Sequence, residues 1–410
     1  MSSVVRLAPT ISLNDEFAEF DIREELERQL EERLTTVDID ARPALRSFEP
    51  NADDDQLSLI HHAGEIIRLI APAGSGKTQT VINRVLHSVR NGMKPERILC
   101  LTFDNSATRA LKEKITEQLA SHDASHDFQI TTLNAFGYRL LKDYFPHEFK
   151  SVIEQRRIWR LVKETKDALA NAPQGRSRHD ALPSALKNRF YGEFFGFLKN
   201  SLFDPRNIAP QAFADFMLTE KAAEVFFQPS SSDEEKKLVI QAVLWMYKTY
   251  DTYLQREVRI DFDDQKLRPL SCLEASPSTL SMIQRRFDEV LVDEFQDINR
   301  LDFALIRQIA AKCRLIVTGD DDQAIYGFRG CTPTYIIDLG KHIQRDIHSI
   351  ELRRNYRCPR NIVDHSTRLI RNNTCRLEKS PIAVRSDDAS IKVVESTTAT
   401  AEAKMIATTN

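Results

Sequence analysis

The sequence predicts an α/β fold: a parallel sheet flanked by helices, interrupted by an all-α insertion. Three observations lead there. Short apolar runs alternate with helical patterns early on, giving strands over 66–70 and 97–102 and helices over 78–90 and 105–119. Between about Arg139 and Glu257 the alternation gives way to long helical stretches. It resumes with apolar runs over 287–293 and 314–318 and ends near Ile370. Strands that alternate with crossover helices lie parallel, so the parts flanking the insertion are expected to form one sheet, with ligands at the carboxyl ends of its strands.

The first strand, Ile66-Ile67-Arg68-Leu69-Ile70, runs into Ala71-Pro72-Ala73-Gly74-Ser75-Gly76-Lys77-Thr78. A strand ending in a glycine-rich loop that opens a helix offers backbone N–H groups and one lysine to a triphosphate. Gly74 and Gly76 let the backbone approach the phosphates, Lys77 reaches the outer two, and Thr78 ligates magnesium. Ala73, Ser75 and Gln79 complete the candidate nucleotide-binding stretch. Ala71 stands where the strict GxxxxGK[ST] pattern has its first glycine, so spacing and context identify the loop. Much later, Val290-Leu291-Val292 runs into Asp293-Glu294-Phe295-Gln296-Asp297. Adjacent carboxylates at a strand end divide the work: Asp293 holds the metal, and Glu294, pointing differently, polarises the attacking water as general base. Together the two segments describe an NTP-hydrolysing site.

In the insertion, a helix over 234–255 is expected to share one face among Leu238, Ala242, Trp245 and Tyr253. Phe190, Tyr191, Phe194, Phe195 and Phe197 are read as core of a small helical domain rather than as a base-stacking platform, and Trp159 likewise. At the start of the chain, Ile22, Leu26, Leu30 and Leu34 mark an acidic amphipathic helix over 15–34 that lies outside the main fold; 41–55 reads as a linker. At the other end, a strand over 391–395 and a helix over 399–406 begin something new.

A length of 410 residues predicts two or three domains. Lys plus Arg (57) against Asp plus Glu (60) gives a net charge of −3, which excludes a globally basic nucleic-acid binder and makes any DNA site local. The six cysteines form no CxxC or Cys/His cluster, against a zinc site or a disulfide framework. His61-His62 lacks further ligands and reads as a surface pair. No run approaches the roughly 20 apolar residues of a membrane span, and a cytoplasmic location is expected.

Further segments complete a pattern: Gln56 upstream of Ala71; Thr102-Phe103-Asp104-Asn105-Ser106-Ala107; Thr131-Thr132-Leu133-Asn134-Ala135-Phe136; Asp261-Phe262-Asp263-Asp264; Gly319-Asp320-Asp321-Asp322-Gln323-Ala324-Ile325-Tyr326-Gly327-Phe328-Arg329-Gly330; and Asn355-Tyr356-Arg357. Together with the glycine-rich loop and 293–297, this order resembles the superfamily 1A DNA helicases, the UvrD, Rep and PcrA family, from about Asp55 to the C-terminus. The resemblance implies a P-loop NTPase of RecA-like fold, with ATP and Mg2+ as cofactors, single-stranded DNA as partner and 3′ to 5′ translocation. It implies that Gln56 reads the adenine edge and Tyr356 stacks on the base, while Gln323 and Arg357 act with Glu294 on the γ phosphate, Arg357 as a finger worth on the order of 10³ in rate. It also implies DNA contacts by Phe103, Asn105, Thr132, Asn134, Tyr326, Phe328 and Arg329; aromatic faces give a sequence-tolerant hold on bases. Relatives carry lysine where Ser106 stands, histidine where Asn134 stands and often arginine where Gln79 stands. The loss of cations lowers the expected salt-dependent DNA affinity.

The domain layout implied is an acidic extension over 1–50, a first part of the 1A domain over 51–138, a helical 1B insertion over 139–257, a second part of 1A over 258–380, and the opening of a 2A domain over 381–410. Motifs V and VI of the family do not follow. The expectation is therefore a fragment, a truncated product, or a chain completed by a second polypeptide supplying the 2A/2B half. A rival reading from another class is a nucleotide-dependent DNA-binding or regulatory module that unwinds nothing alone.

Overall fold

The computed structural model describes residues 52–119 and 128–409. The acidic helix expected over 15–34 lies outside the described residues, as does most of the linker expected over 41–55. The central sheet has six parallel strands, β1 (Ile66–Ile70), β2 (Ile98–Thr102), β3 (Gln129–Thr132), β6 (Glu289–Val292), β7 (Arg314–Gly319) and β8 (His348–Glu351), in the order β3-β2-β6-β7-β1-β8. Two-residue strands β4 (Ser151–Val152) and β5 (Arg259–Ile260) pair where the insertion begins and ends. Another short pair joins β9 (Arg354–Asn355) to β10 (Ile382–Ala383). The parts flanking the insertion thus form one sheet, as their patterns predict.

Parallel strands covered on both faces read as near-continuous apolar runs, because successive side chains serve opposite cores. Ile66 and Ile70 join Leu99, Leu101, Val290, Val292, Leu315 and Val317 in one core, while Ile67 and Leu69 join Ile98, Cys100, Leu291, Ile316 and Ile350 in the other. At the amino ends of the strands, the buried Arg84 guanidinium lies 2.6 Å from Glu289 Oε2 and donates to the carbonyls of Ile60 and His62 at 2.9 and 2.7 Å. Arg314 reaches the same Glu289 oxygen at 2.9 Å. This network fastens helix Lys77–Arg90, and with it the glycine-rich loop, to the base of β6.

The insertion packs its helices around a separate core that includes Tyr191, Phe195, Phe213, Val243, Met246, Tyr247 and Tyr250. Its longest helix, Asp233–Arg256, opens with a capping box between Ser232 and Glu235. The buried stripe of that helix runs through Val239, Val243, Met246, Tyr250 and Leu254; of the four residues expected to share one face only Ala242 is fully buried. Leu238, Trp245 and Tyr253 flank the stripe, because the helix is covered over more than one face and its polar residues do not mark the solvent side cleanly. Lys199, buried, lies 2.6 Å from Asp261 Oδ2 and 2.9 Å from Asp264 Oδ2, and Tyr250 donates to Asp261. The short acidic segment after the insertion therefore clasps it to the sheet domain.

The helix Leu133–Tyr144 runs across residue 138 and crosses Asp264–Ala275 at Gly137. A Cβ on Gly137 would lie 2.1 Å from the carbonyl oxygen of Gln265. That carbonyl is four residues before Pro269, which has no N–H to give it. The strand expected over 391–395 is not formed: no strand of the described residues pairs with it, and Val393 is 95% exposed. An isolated strand has no ladder to complete, so apolar pattern alone does not hold it. The helix that follows spans Ala399–Thr409. The six cysteines are unpaired. Among the described residues no helix is long and apolar enough to cross a membrane.

Candidate functional site

The carboxyl ends of β1, β6 and β7 bring the two halves of the pattern together. Gly76, at φ 83°, caps helix Lys77–Arg90 in the left-handed region, and Gly74, at φ 79°, takes up a left-handed backbone two residues earlier in the loop. Both positions favour glycine sterically, and both are crowded: a Cβ on Gly74 would meet Arg357 Cβ and Asn355 Oδ1 at 2.8 Å, and one on Gly76 would meet Gln56 Nε2 at 2.8 Å. The β9 strand closes over the loop. Asn355 Nδ2 donates to Ala73 O at 2.7 Å, and the Tyr356 N–H donates to Gly74 O at 2.9 Å. Arg357 is thereby held beside the glycine-rich loop, although the two are far apart in sequence.

Lys77 lies 3.1 Å from Asp293 Oδ1 and 2.6 Å from Glu294 Oε1. Burial alone would lower the pKa of its ammonium, but the two carboxylates outweigh burial and hold it above the ordinary lysine value. Asp293 Oδ1 also accepts from the Thr318 hydroxyl at 2.7 Å and from the Glu294 N–H at 3.0 Å. The three contacts converge on one oxygen, leaving Oδ2 for a cation. Glu294 is turned away from its neighbour by a left-handed backbone, φ 51°, unusual for a residue with a Cβ. Even so, both carboxylates meet the one Lys77 ammonium. Asp297, next along, has its carboxyl pushed up to about 6 by burial and then by the charge of Glu294.

The loop suits a phosphate group. Its backbone opens a 14-residue helix at the N-terminal, positive end of the dipole. Ser75, 2% exposed, carries a hydroxyl with no partner among the described residues. A buried donor without a partner costs stability unless something supplies an acceptor. Thr78, exposed on the first turn, and Asp293 are the two oxygen donors a hard divalent cation would use.

Other candidates are placed less simply. Gln56 is buried; its Nε2 donates to Ser75 O and its Oε1 accepts from the Asp53 N–H, both at 3.2 Å, so the amide also braces the loop. Tyr356 is exposed with its hydroxyl on Asp53, and Gln79 donates to Asn83 within its own helix. Gln323 is turned to Asp320, donating to Oδ2 at 2.6 Å. Gln296 was not anticipated: its Nε2 donates to Glu294 Oε2 at 2.9 Å, and its Oε1 accepts from the Asp320 N–H at 3.1 Å. The only sequence signal for it is its place between two acidic residues of the same segment.

Beside this site the aromatic candidates gather into one surface. Phe103 stacks on Tyr326 with centroids 4.8 Å apart, Tyr326 meets Phe328 at 6.0 Å, and the Arg329 guanidinium lies over Phe103 at 5.6 Å. A narrow cleft of about 60 Å³ runs from Phe103 and Arg329 to Asp293, Glu294 and Asp297. Asn105 is exposed on the first turn of Asn105–Leu119. Thr132 and Asn134 have local partners: Thr132 caps its helix by accepting from the Ala135 N–H at 3.2 Å, and Asn134 donates to Phe262 O at 3.0 Å. Within the insertion, Tyr191 and Phe195 are core as expected, but Phe190, Phe194 and Phe197 are half-buried. They line an apolar groove of about 690 Å³ that Gly327 and Phe328 close from the other side. Five aromatics at helical spacing look alike in sequence; only the packing sorts them.

A glycine-rich loop between a strand of the parallel sheet and a helix, with its lysine on paired carboxylates two strands away, defines a P-loop NTPase fold. The chain belongs to the UvrD/REP helicase N-terminal domain family, whose pattern matches residues 52–344. It is 29% identical over 318 residues to the ATP-dependent DNA helicase PcrA of Leuconostoc citreum, covering 76% of this chain and 38% of that protein. It is 28% identical over 363 residues to a probable DNA helicase II homolog of Mycoplasma capricolum (86% and 45%), and 26% identical over 340 residues to PcrA of Staphylococcus aureus (82% and 42%). The chain thus spans less than half the length of these relatives.

Proposed function

We propose that this chain is the nucleotide-binding part of an ATP-dependent DNA translocase of 3′ to 5′ polarity, in which ATP hydrolysis is stimulated by single-stranded DNA. The observation that carries the reading is the convergence of Lys77, Asp293, Glu294 and Arg357 on one sheet edge, next to the half-buried ring of Tyr326 and the exposed ring of Phe328. In this reading the loop amides of 73–78 and Lys77 hold the β and γ phosphates, and Thr78 and Asp293 hold Mg2+, which neutralises charge developing on the phosphates. Glu294 takes the proton of the attacking water. Arg357 and Gln323 sense the γ phosphate, while Gln56 and Tyr356 hold the adenine. Lys77 leaves its carboxylates for the phosphates when nucleotide enters, freeing Glu294 to act as a base.

The proposed DNA path crosses Phe103, Tyr326, Phe328 and Arg329, with Asn105, Thr132 and Asn134 along its border. The sheet over 51–138 and 258–380 is the 1A domain in this reading, 139–257 the 1B insertion, and 381–410 the opening of 2A. Two of the relatives compared above are named ATP-dependent DNA helicases, which supports the assignment. The test is ATP hydrolysis by the purified chain with and without oligo(dT), beside equilibrium binding of a fluorescent ATP analogue. Stimulated hydrolysis is expected. Binding without stimulation would favour a nucleotide-dependent DNA-binding module instead, and absence of binding would overturn both.

A further inference from the structure

Residues 376–384, which follow the helix Arg360–Ile370, are bonded to the candidate site at both ends. At the first end Arg376 donates to both oxygens of Asp322, at 2.9 and 2.7 Å, and the Leu377 N–H donates to Asp321 Oδ2 at 2.8 Å. Lys379, only 4% exposed, places its ammonium 2.7 Å from Asp320, 2.6 Å from Asp321 and 2.7 Å from Asp322. At the second end the N–H groups of Ile382 and Val384 donate to the carbonyls of Arg353 and Asn355 at 2.7 and 2.9 Å. Asn355 is the residue whose amide holds Ala73 of the glycine-rich loop.

From Asp320 a continuous path leads inward. One carboxylate oxygen takes Lys379 and the other takes the Gln323 amide. The Asp320 N–H reaches Gln296, and Gln296 reaches Glu294. Gly319 leaves room for this path, since a Cβ there would lie 2.3 Å from Gln296 Oε1. Breaking a buried ion pair by removing one partner is strongly unfavourable, so the loop 320–322 and the segment 376–384 shift together or not at all.

We infer that Lys379 is a positioning residue that sets Gln323 and Glu294 through Asp320 and Gln296, and that 376–384 is a strap carrying changes at the nucleotide site to the chain beyond residue 384. The inference rests on the nucleotide reading above. When Lys77 gives up Glu294, the remaining partner of that carboxylate among the described residues, Gln296, feels the change, and Gln296 also touches Asp297 and, through its Oε1, the loop that Lys379 holds. The strap also meets the glycine-rich loop through Asn355, so both ends respond to the same event.

Hydrogen-exchange mass spectrometry of the full chain, with and without ATPγS and magnesium, reads both places at once. Nucleotide is expected to protect 72–79 and to change exchange of the amides in 376–384 by roughly 3- to 10-fold. Gln296→Ala should keep the first response and lose the second; Lys379→Met should do the same and Lys379→Arg should recover part of it. Should Lys379→Met not fold, Gln296→Ala decides alone. A strap that responds in Gln296→Ala as in the unaltered chain, or that stays silent while 72–79 are protected, overturns the inference. A merely structural lysine would raise exchange in 376–384 equally with and without nucleotide, which also overturns it. Absence of protection at 72–79 is a separate pattern that removes the nucleotide reading, and this inference with it.

Discussion

The ammonium of Lys77 sits 2.6 Å from Glu294 Oε1, so the cation of the glycine-rich loop and the proposed base neutralise each other across the sheet. Charge-assisted hydrogen bonds are worth about 1.5–3 kcal/mol, and the same lysine is available to a phosphate. Lys77→Met is therefore expected to weaken ATP binding about 10- to 100-fold. Equilibrium titration with a fluorescent ATP analogue checks this; unchanged affinity would remove Lys77 from the site.

Glu294→Gln keeps the shape of the side chain and its hydrogen bond with Gln296 but removes the proton acceptor. Nucleotide binding should persist while turnover falls by about 10²- to 10⁴-fold. Single-turnover hydrolysis with pre-bound ATP isolates the step, and a normal rate would assign the base elsewhere.

Phe328 is 78% exposed, so its ring contributes little to the core and its removal should not destabilise the fold. Stacking on a base is worth about 1–3 kcal/mol. Phe328→Ala is expected to weaken binding of oligo(dT) by roughly 5- to 100-fold, with ATP affinity unaltered. Fluorescence anisotropy at fixed salt measures it.

Arg84→Met leaves Glu289, 0% exposed, with Arg314 as its remaining ion-pair partner among the described residues, and strips donors from the carbonyls of Ile60 and His62. The expected cost is about 3–5 kcal/mol, because a buried charge loses compensation. Urea denaturation would show it as a lower midpoint at similar slope.

Asp297 supplies a pH signature. Its carboxyl, ordinarily at 3.8, is pushed up to about 6 in the folded chain, so the folded state holds the proton more tightly than the unfolded one. That contribution is complete below 3.8 and is lost as pH rises through about 6. Asp297→Asn should consequently gain stability over the unaltered chain as pH rises from about 4 to about 7, on the order of 2 kcal/mol, in the absence of nucleotide. Denaturant melts across that range check the sign; a difference independent of pH would show that Asp297 does not titrate there.

The sheet was legible because parallel strands buried on both faces advertise themselves as Ile66–Ile70 and Glu289–Val292 do, and because a glycine-rich loop has few other uses. The Lys77, Asp293 and Glu294 constellation followed from chemistry attached to strand ends. What escaped depended on partners distant in sequence. Gln296, Asp320 and Lys379 carry no local mark of their relay, since any buried amide, aspartate or lysine looks the same until its neighbours are known. The strand pattern at 391–395 misled for the complementary reason: alternation reports an affinity for a sheet, and the described residues offer it none.

Gly137 owes its importance to what it lacks. The insertion leaves and rejoins the sheet domain through two helices that touch where Gly137 meets the orphaned carbonyl before Pro269. A single methyl at that crossing would collide with the Gln265 carbonyl, so the two helices could keep their contact only by parting or by bending. The closeness of arm and sheet at their root thus depends on an absent atom, and even alanine at that position could not be accommodated without a backbone shift.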